Sequence, residues 1–542
     1  MNQVIAKAAS IVMGVATLIL PATRAAAQSE PLLVVTLSGI DEILGDVAYL
    51  AQVSGSGPVG QMVGMMANQY VQGLDRTKPI AVVVTVNGDE INPLAMIPVT
   101  DLPRFLEGLS QQLGELQDAG NGIFELGTPV PTYVKEQDGW AFVGPSIESL
   151  QKLPDDPISA MGGLDTKYDI GIRAVIKNLP EIYKQMALAK INEGIAQQLE
   201  NVGDELGSKE AQSQKNLVKA QLNQWETMLN EIDELTIGWL VDSKAERIYI
   251  DGTTTAIPGT KTADQMAALK DMKSGFTGFV MPGAAATLQA VGELADSDIE
   301  QFIAMIDPLR ESAKKEIDAD DDLPDDEAKQ AAKSLVDQLF AVLEETVREG
   351  KADLGAALML ENQSMTVLFG FHVADGAKLE KSVKDLVKMA EKDPNFPGIK
   401  FNAATEGDVN FHSMEIPVPD DEAARDVFGE QIELIVGIGP KAAYFGFGEG
   451  CLGGLRGAIR NSAAATDTSA PMQMSVALGP IMRFASNFED NPMVAALATA
   501  LEANQGRDNI LIVGEAIPNG AHYRFEVQDG VLKAIGQATQ GG

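Results

Sequence analysis

PIAVVVTVNGDEINPLAMIPVTDLPRFLEGL, residues 79 to 109, decides how the chain is read. Two short apolar runs flank a tight polar turn at Asn87, Gly88 and Asp89, and the apolar spacing then changes to that of a helix. The stretch predicts a β-hairpin feeding a helix. The same grammar returns in ELTIGWLVDSKAERIYIDGTTTAIPGTKTADQMAAL from Glu234, in DLGAALMLENQSMTVLFGFHVADGAKLEKSVKDL from Asp353 and in NILIVGEAIPNGAHYRFEVQDGVLKAIG from Asn509.

Each hairpin is preceded by a shorter run that reads as one strand entering a helix. These runs begin at Leu32, Tyr168, Phe276 and Met472. The helix starts are signalled by Ser38 with Asp41 as a capping box, Asn178 before Pro180, Pro282 before Gly283, and Gly479 before Pro480. A unit of strand, helix, strand, strand, helix is thus expected four times. A longer period lies over it, because WAFVGPSIESLQKL from Trp140 and YFGFGEGCLGGLRGAI from Tyr444 follow the first and third units. Matching Trp140 with Tyr444 and Gly144 with Gly448 implies a duplication, with one half at 28–273 and the other at 274–542.

The expected fold class is α+β: internally duplicated, with hairpin-rich antiparallel or mixed sheets and helices packed on one face. Two helical-hairpin insertions interrupt the units, at about 191–235 and about 296–349. The first carries a stripe of Leu217, Leu222, Trp225, Met228, Leu229 and Ile232. The second opens with a Ser297–Glu300 capping box and returns with Leu335, Leu339, Phe340, Leu343 and Val347. Packing of helical pairs on the sheets is the plain reading of both, and a projecting partner-binding arm the functional one. The Met-rich helix with Met62, Met65, Met66 and Tyr70, after the glycine-serine stretch Ser54–Gly60, is expected to pack into a core, with a mobile loop leading into an adaptable surface as the alternative.

The N-terminus carries Lys7, an apolar run from Ala8 to Leu20, Pro21 and the small residues Ala25, Ala26 and Ala27. This is the pattern of a signal peptide over residues 1–27, and it predicts export to the periplasm or beyond. An apolar run of that length is short for a span, which needs roughly 20 residues. Removing Lys7 and Arg24 lowers the formal charge from -36 to -38. So acidic a surface repels phosphate backbones, which excludes nucleic acid, and no membrane span is expected after cleavage. One cysteine, Cys451, excludes a disulfide framework, so packed cores must hold the fold. The oligomeric state is left open.

The export signal, acidic charge and repeated strand and helix units together resemble exported bacterial proteins built from repeated α+β units. That resemblance lies in organisation across the mature chain and carries no functional residue with it.

No motif for catalysis stands out. GEGCLG, Gly448–Gly453, satisfies the spacing of a dinucleotide turn, but the matched turn GPSIES at Gly144–Ser149 has no glycine cradle. Asp318, Asp320 and Asp322 alternate in an acidic run, as oxygen ligands of a calcium loop would, and are the metal candidates. The glycine that an EF-hand needs is missing, and a solvated turn is the competing account. His372, His412 and His522 lack zinc-site spacing; His372 and His522 fall on second strands of hairpins. Cys451 sits at a helix start but reads as a buried spectator. Ser312 and Lys315 form an isolated SxxK, and no GxSxG occurs.

The chain is therefore expected to be an exported non-catalytic binding or structural protein without a catalytic or cofactor-binding residue. A protein partner or apolar ligand would lie between sheet and helices. The alternatives are a secreted hydrolase with a dispersed site and a calcium-dependent adhesion or surface protein.

Overall fold

The computed structural model describes residues 30–109, 116–203, 225–319, 326–361, 363–391, 396–418, 422–465, 470–488, 491–504 and 506–541. Every ladder whose register is described is antiparallel, and helices complete an α+β fold. Two compact units form. Unit 1 takes Met1–Lys190, Glu226–Ala263 and His522–Gln540; unit 2 takes Ile191–Trp225, Asp264–Ala521 and Gly541–Gly542.

In unit 1 the chain runs β1 (Glu30–Leu37), α1 (Ile40–Val53), α2 (Gly57–Tyr70), β2 (Ile80–Asn87), β3 (Glu90–Pro98) and α3 (Leu102–Gly108). There follow β4 (Gln117–Gly120), β5 (Ile123–Leu126), β6 (Thr132–Gln137), β7 (Trp140–Gly144) and α4 (Pro157–Ala160). β8 (Ile170–Val175) leads to α5 (Glu181–Gly203), and β9 (Ile232–Asp242) and β10 (Arg247–Ala256) to α6 (Lys261–Ala268). The opening stretch forms as its residues dictate. Asn87 pairs with Glu90 across a two-residue loop, with Gly88 at φ +64°. The Asp101 carboxylate then accepts from the Arg104 amide at 3.0 Å and caps α3.

Unit 2 contains β11 (Ala286–Glu293), α7 (Asp296–Ala319), α8 (Asp326–Arg348), β12 (Lys351–Glu361), β13 (Ser364–His372) and α9 (Gly376–Ala390). Then come β14 (Lys400–Glu406), β15 (Val409–Pro417), α10 (Glu422–Phe428), β16 (Gln431–Gly439), β17 (Ala442–Phe447) and α11 (Cys451–Ala464). β18 (Met472–Ala477), α12 (Leu478–Ala485), α13 (Pro492–Glu502) and β19 (Asn509–Ile517) complete it. β20 (Gly520–Gln528) enters unit 1 at His522, pairs with β10 and is followed by α14 (Asp529–Gly541).

The strand order of unit 1 is β4-β5-β6-β7-β3-β2-β1-β8-β9-β10-β20, and that of unit 2 is β14-β15-β16-β17-β13-β12-β11-β18-β19. The nine strands of unit 2 follow one another as the first nine of unit 1 do. Phe142, Met96, Leu150 and Met161 fill the core of unit 1; Phe279, Phe411, Ile435 and Leu455 fill that of unit 2.

Four expectations are corrected. The run from Phe276 is no strand: Thr277–Phe279 is a 3-10 turn, Gly283 takes φ +81°, and the strand is the following Ala286–Glu293. Ser38 does not cap α1, whose N-cap is Gly39, because the Ser38 side chain is buried and its amide donates to the Asp169 carbonyl. Nor does Asn178 cap α5; its amide side chain donates to the Pro31 carbonyl at 2.7 Å. The Met-rich helix α2 keeps Met65 70% exposed, with Met62 and Tyr70 also at the surface, because its glycines and polar residues leave no continuous apolar face to bury. The stripe residues Leu217 and Leu222 lie outside the described residues. Among the described residues no helix is long and apolar enough to cross a membrane.

Candidate functional site

In an antiparallel ladder, directly opposed residues point to the same face. The row Thr36, Gly171, Gly238 and Asp251 crosses β1, β8, β9 and β10 on the inner face of unit 1. Gly238 makes room for the Tyr168 ring, since a Cβ there would lie 2.3 Å from it, and Gly171 makes room for Leu164. The alternate positions form three outward rows: Leu37, Ile170, Trp239 and Ile250; Val35, Ile172, Ile237 and Gly252; Leu33, Ala174, Leu235 and Thr254. No charged residue occurs in them. Ile170, Ile172, Ile237 and Ile250 are 37%, 39%, 55% and 46% exposed. Arg524 of β20 turns inward to Asp251, so its neighbours Tyr523 and Phe525 project outward, and both are exposed. An apolar patch thus continues across β8, β9, β10 and β20. Scattered apolar residues on a surface are ordinary; a continuous face is the kind of surface that marks a binding site.

The inner face of the same strands carries a charged network. Asp251, nearly fully buried, accepts two parallel bonds from Arg524 (2.8 and 2.9 Å) and one from the Tyr168 hydroxyl (3.2 Å), and His522 Nε2 lies 3.4 Å away. The Arg524 guanidinium also stacks on Tyr249, 3.8 Å from the ring centroid. Burial works to raise the Asp251 pKa, but Arg524 outweighs it and holds the carboxylate below its usual range. Burial, then the Asp251 charge, pushes the Tyr168 phenol up to about 12. The Asp251 carboxylate gathers the Tyr168 hydroxyl and the Arg524 guanidinium, and through Arg524 it holds β20 against β10.

A second buried group joins α1 to β8. Asp46 and Asp169 share a side-chain hydrogen bond, are 9% and 2% exposed, and Asp169 Oδ2 accepts from the Val241 amide at 2.6 Å. Burial first, then the charges of Asp169 and Glu42, raises the Asp46 pKa to about 7.

In unit 2 a cleft of about 540 Å³ is lined by Gly479, Pro480, Arg483, Leu501 and Asp508 among others. Two of its polar groups are engaged: Asp508 Oδ2 accepts from the Gly479 amide at 2.9 Å, and Arg483 pairs with Glu502 at 3.1 Å.

The residues that sequence singled out are not brought together. Asp318 pairs with Lys333, and its carbonyl accepts from Lys329 at 2.8 Å; Asp320 and Asp322 lie outside the described residues. Among the described residues no group of three His, Cys, Asp or Glu could hold a metal ion. His372 and His522 do lie on β13 and β20, and His372 Nε2 sits 3.0 Å from Glu349. His412 is fully buried: its Nδ1 accepts from the Asn402 amide at 3.1 Å, and burial lowers its pKa, which keeps the ring neutral. Cys451 is fully buried too, and burial pushes its thiol up to about 12, far from a thiolate at neutral pH. Gly448 has φ +96° and a Cβ there would lie 2.1 Å from the Met365 carbonyl, so its glycine answers a close approach of β13. Gly450, at φ +72°, is the N-cap of α11. The glycine-rich turn is packing, with no phosphate cradle.

Sequence reading missed the apolar face, the Asp251 network and the acid pair. The first had a signal, the alternation of Ile170 with Ile172 and of Ile237 with Trp239. The others join residues far apart in the chain. No known protein family, curated protein or solved structure matches this chain.

Proposed function

We propose that this chain is an exported, non-catalytic binding protein whose unit 1 sheet seats an amphipathic helix of a partner protein, apolar toward the sheet and cationic away from it. The observation that carries the reading is the uncharged outer face around Trp239, with Ile170, Ile172, Ile237 and Ile250 exposed. A helix layer is the ordinary cover for an open apolar sheet face. The cations follow from the formal charge of -36, which draws a cationic partner in and turns anionic surfaces away. The repeated strand order of the two units supports an origin by duplication, with halves near 28–273 and 274–542.

The test uses Trp239 as its own reporter, in full-length protein carrying Trp225→Phe so that the exposed Trp225 does not contribute. A cationic amphipathic model helix is titrated in and Trp emission followed. A saturable blue shift is expected, weakened by salt and abolished by Ile237→Ser with Ile250→Ser. An anionic helix with the same apolar face should bind far more weakly. A shift with a neutral long-chain alcohol but with neither helix would replace the protein partner by an apolar ligand.

A further inference from the structure

The Asp46–Asp169 pair stands apart from the apolar face and from the Asp251 network. Asp46 lies on α1 one turn after Glu42, so two acids follow one another along one side of the helix. Asp169 immediately precedes β8; its carbonyl receives the Ser38 amide at 2.8 Å, its own amide donates to the Trp239 carbonyl at 2.9 Å and its carboxylate takes the Val241 amide. The acid from β8 is therefore fixed by three backbone bonds, while the acid from the helix has only its bond to Asp169 and an Oδ2 that is buried without a partner. Among the described residues neither has a cation. On α1 itself Asp41 takes Arg76 at 2.6 Å, and beyond it Tyr49 bonds Asp529 of α14, which also holds Lys533. Thr36 of β1 and Ser38 just after it are buried with uncharged hydroxyls. Two carboxylates in hydrogen-bond contact and out of water cannot both be ionised without strong repulsion, so the contact requires a shared proton.

We propose that Asp46 and Asp169 form a proton-operated latch that fastens α1 to the start of β8 while the proton is held and releases it when the proton leaves. With the proton present, one carboxyl donates to the other and α1 is docked. Without it, two negative charges face each other across the helix–sheet contact, with Glu42 adding a third. The helix then keeps its remaining ties at Asp41 and Tyr49 but loses the middle one. The operating range follows from the raised Asp46 pKa. The folded state holds a proton that the unfolded chain gives up, so the stability contributed by this site is present in full below about pH 4 and is lost as pH climbs toward about 7. Within that window the site raises the unfolding constant by about tenfold per pH unit.

Amide hydrogen exchange of α1, together with urea unfolding, is to be measured on the full chain from pH 5 to 8, after correction for the intrinsic pH dependence of exchange. In the wild type, opening of residues 42–54 should increase at least tenfold relative to the rest of unit 1 over this range. Asp46→Asn supplies the neutral donor permanently and should abolish the increase, and Asp169→Asn should do the same from the other side. A pH dependence unchanged in both variants overturns the latch, and so does a wild-type α1 whose relative opening does not change with pH. If calcium or magnesium at pH 8 restores α1 protection in the wild type and not in Asp46→Asn, the pair holds a cation and the proton latch is wrong.

Discussion

The outer faces of β8–β9 in unit 1 and of β18–β19 in unit 2 occupy the same place in the same strand order, yet the first is the more exposed. Ladder registers set Ile172 and Ile237 level with Met474 and Ile512, Ile170 with Met472, and Trp239 with Gly514. The three isoleucines are exposed, whereas Met472, Met474 and Ile512 are half-buried. Strand order fixes which residues share a face and leaves open what covers that face. Unit 1 puts stiff, branched side chains and a tryptophan on its uncovered side, a combination suited to a defined contact; unit 2 puts flexible methionines and a glycine there.

The comparison breaks most easily in the cores. Val99 donates to the Gly139 carbonyl as Val373 does to that of Lys441, which sets Phe142 level with Tyr444. Phe142→Ala should cost about 3–5 kcal/mol. Amide exchange in urea should show the loss in unit 1 alone, and Tyr444→Ala should confine it to unit 2. Equal loss in both units from either variant would mean that they unfold as one block.

Asp251→Ala comes next, at about 3 kcal/mol, because it leaves the Arg524 guanidinium and the Tyr168 hydroxyl without their acceptor; chemical denaturation measures it. Gly238→Ala should cost about 1–3 kcal/mol by driving a methyl into the Tyr168 ring, read as a lowered denaturation midpoint. The smallest effects discriminate best between the faces. Ile512→Thr should cost about 1 kcal/mol and Ile237→Thr less than about 0.5, while only the latter should weaken the model helix in the Trp239 titration. Equal costs would close the open face.

Much of the architecture was legible. Short apolar runs around tight polar turns located the hairpins, as at Asn87–Glu90, where Ala81 to Val84 of β2 are all buried. Two misreadings have physical causes. FTGFVM from Phe276 looks like a strand, but a Cβ on Gly278 would lie 2.1 Å from the Ala458 carbonyl and its amide bonds Ser462 Oγ at 2.8 Å, so the segment is clasped by α11. No local pattern announces a partner so far along the chain. Matching glycines by spelling set Gly144 against Gly448, whereas the ladders set it against Gly446: a Cβ at Gly144 would meet Ser149, and one at Gly446 would meet Cys451, five residues on in each case. Of the site, the sequence showed apolar alternation but not exposure, since a strand covered by helices is spelled the same way. Nothing in the sequence around Asp46 sets it apart, because what makes it unusual is Asp169.

The bond between Asp251 and Arg524 joins residues 273 apart. In time, that separation is a delay. Until β20 is in place, Asp251 lacks its cation and β10 is an unpaired edge. Unit 1 therefore cannot close its sheet at β10 until β20, far later in the chain, has arrived.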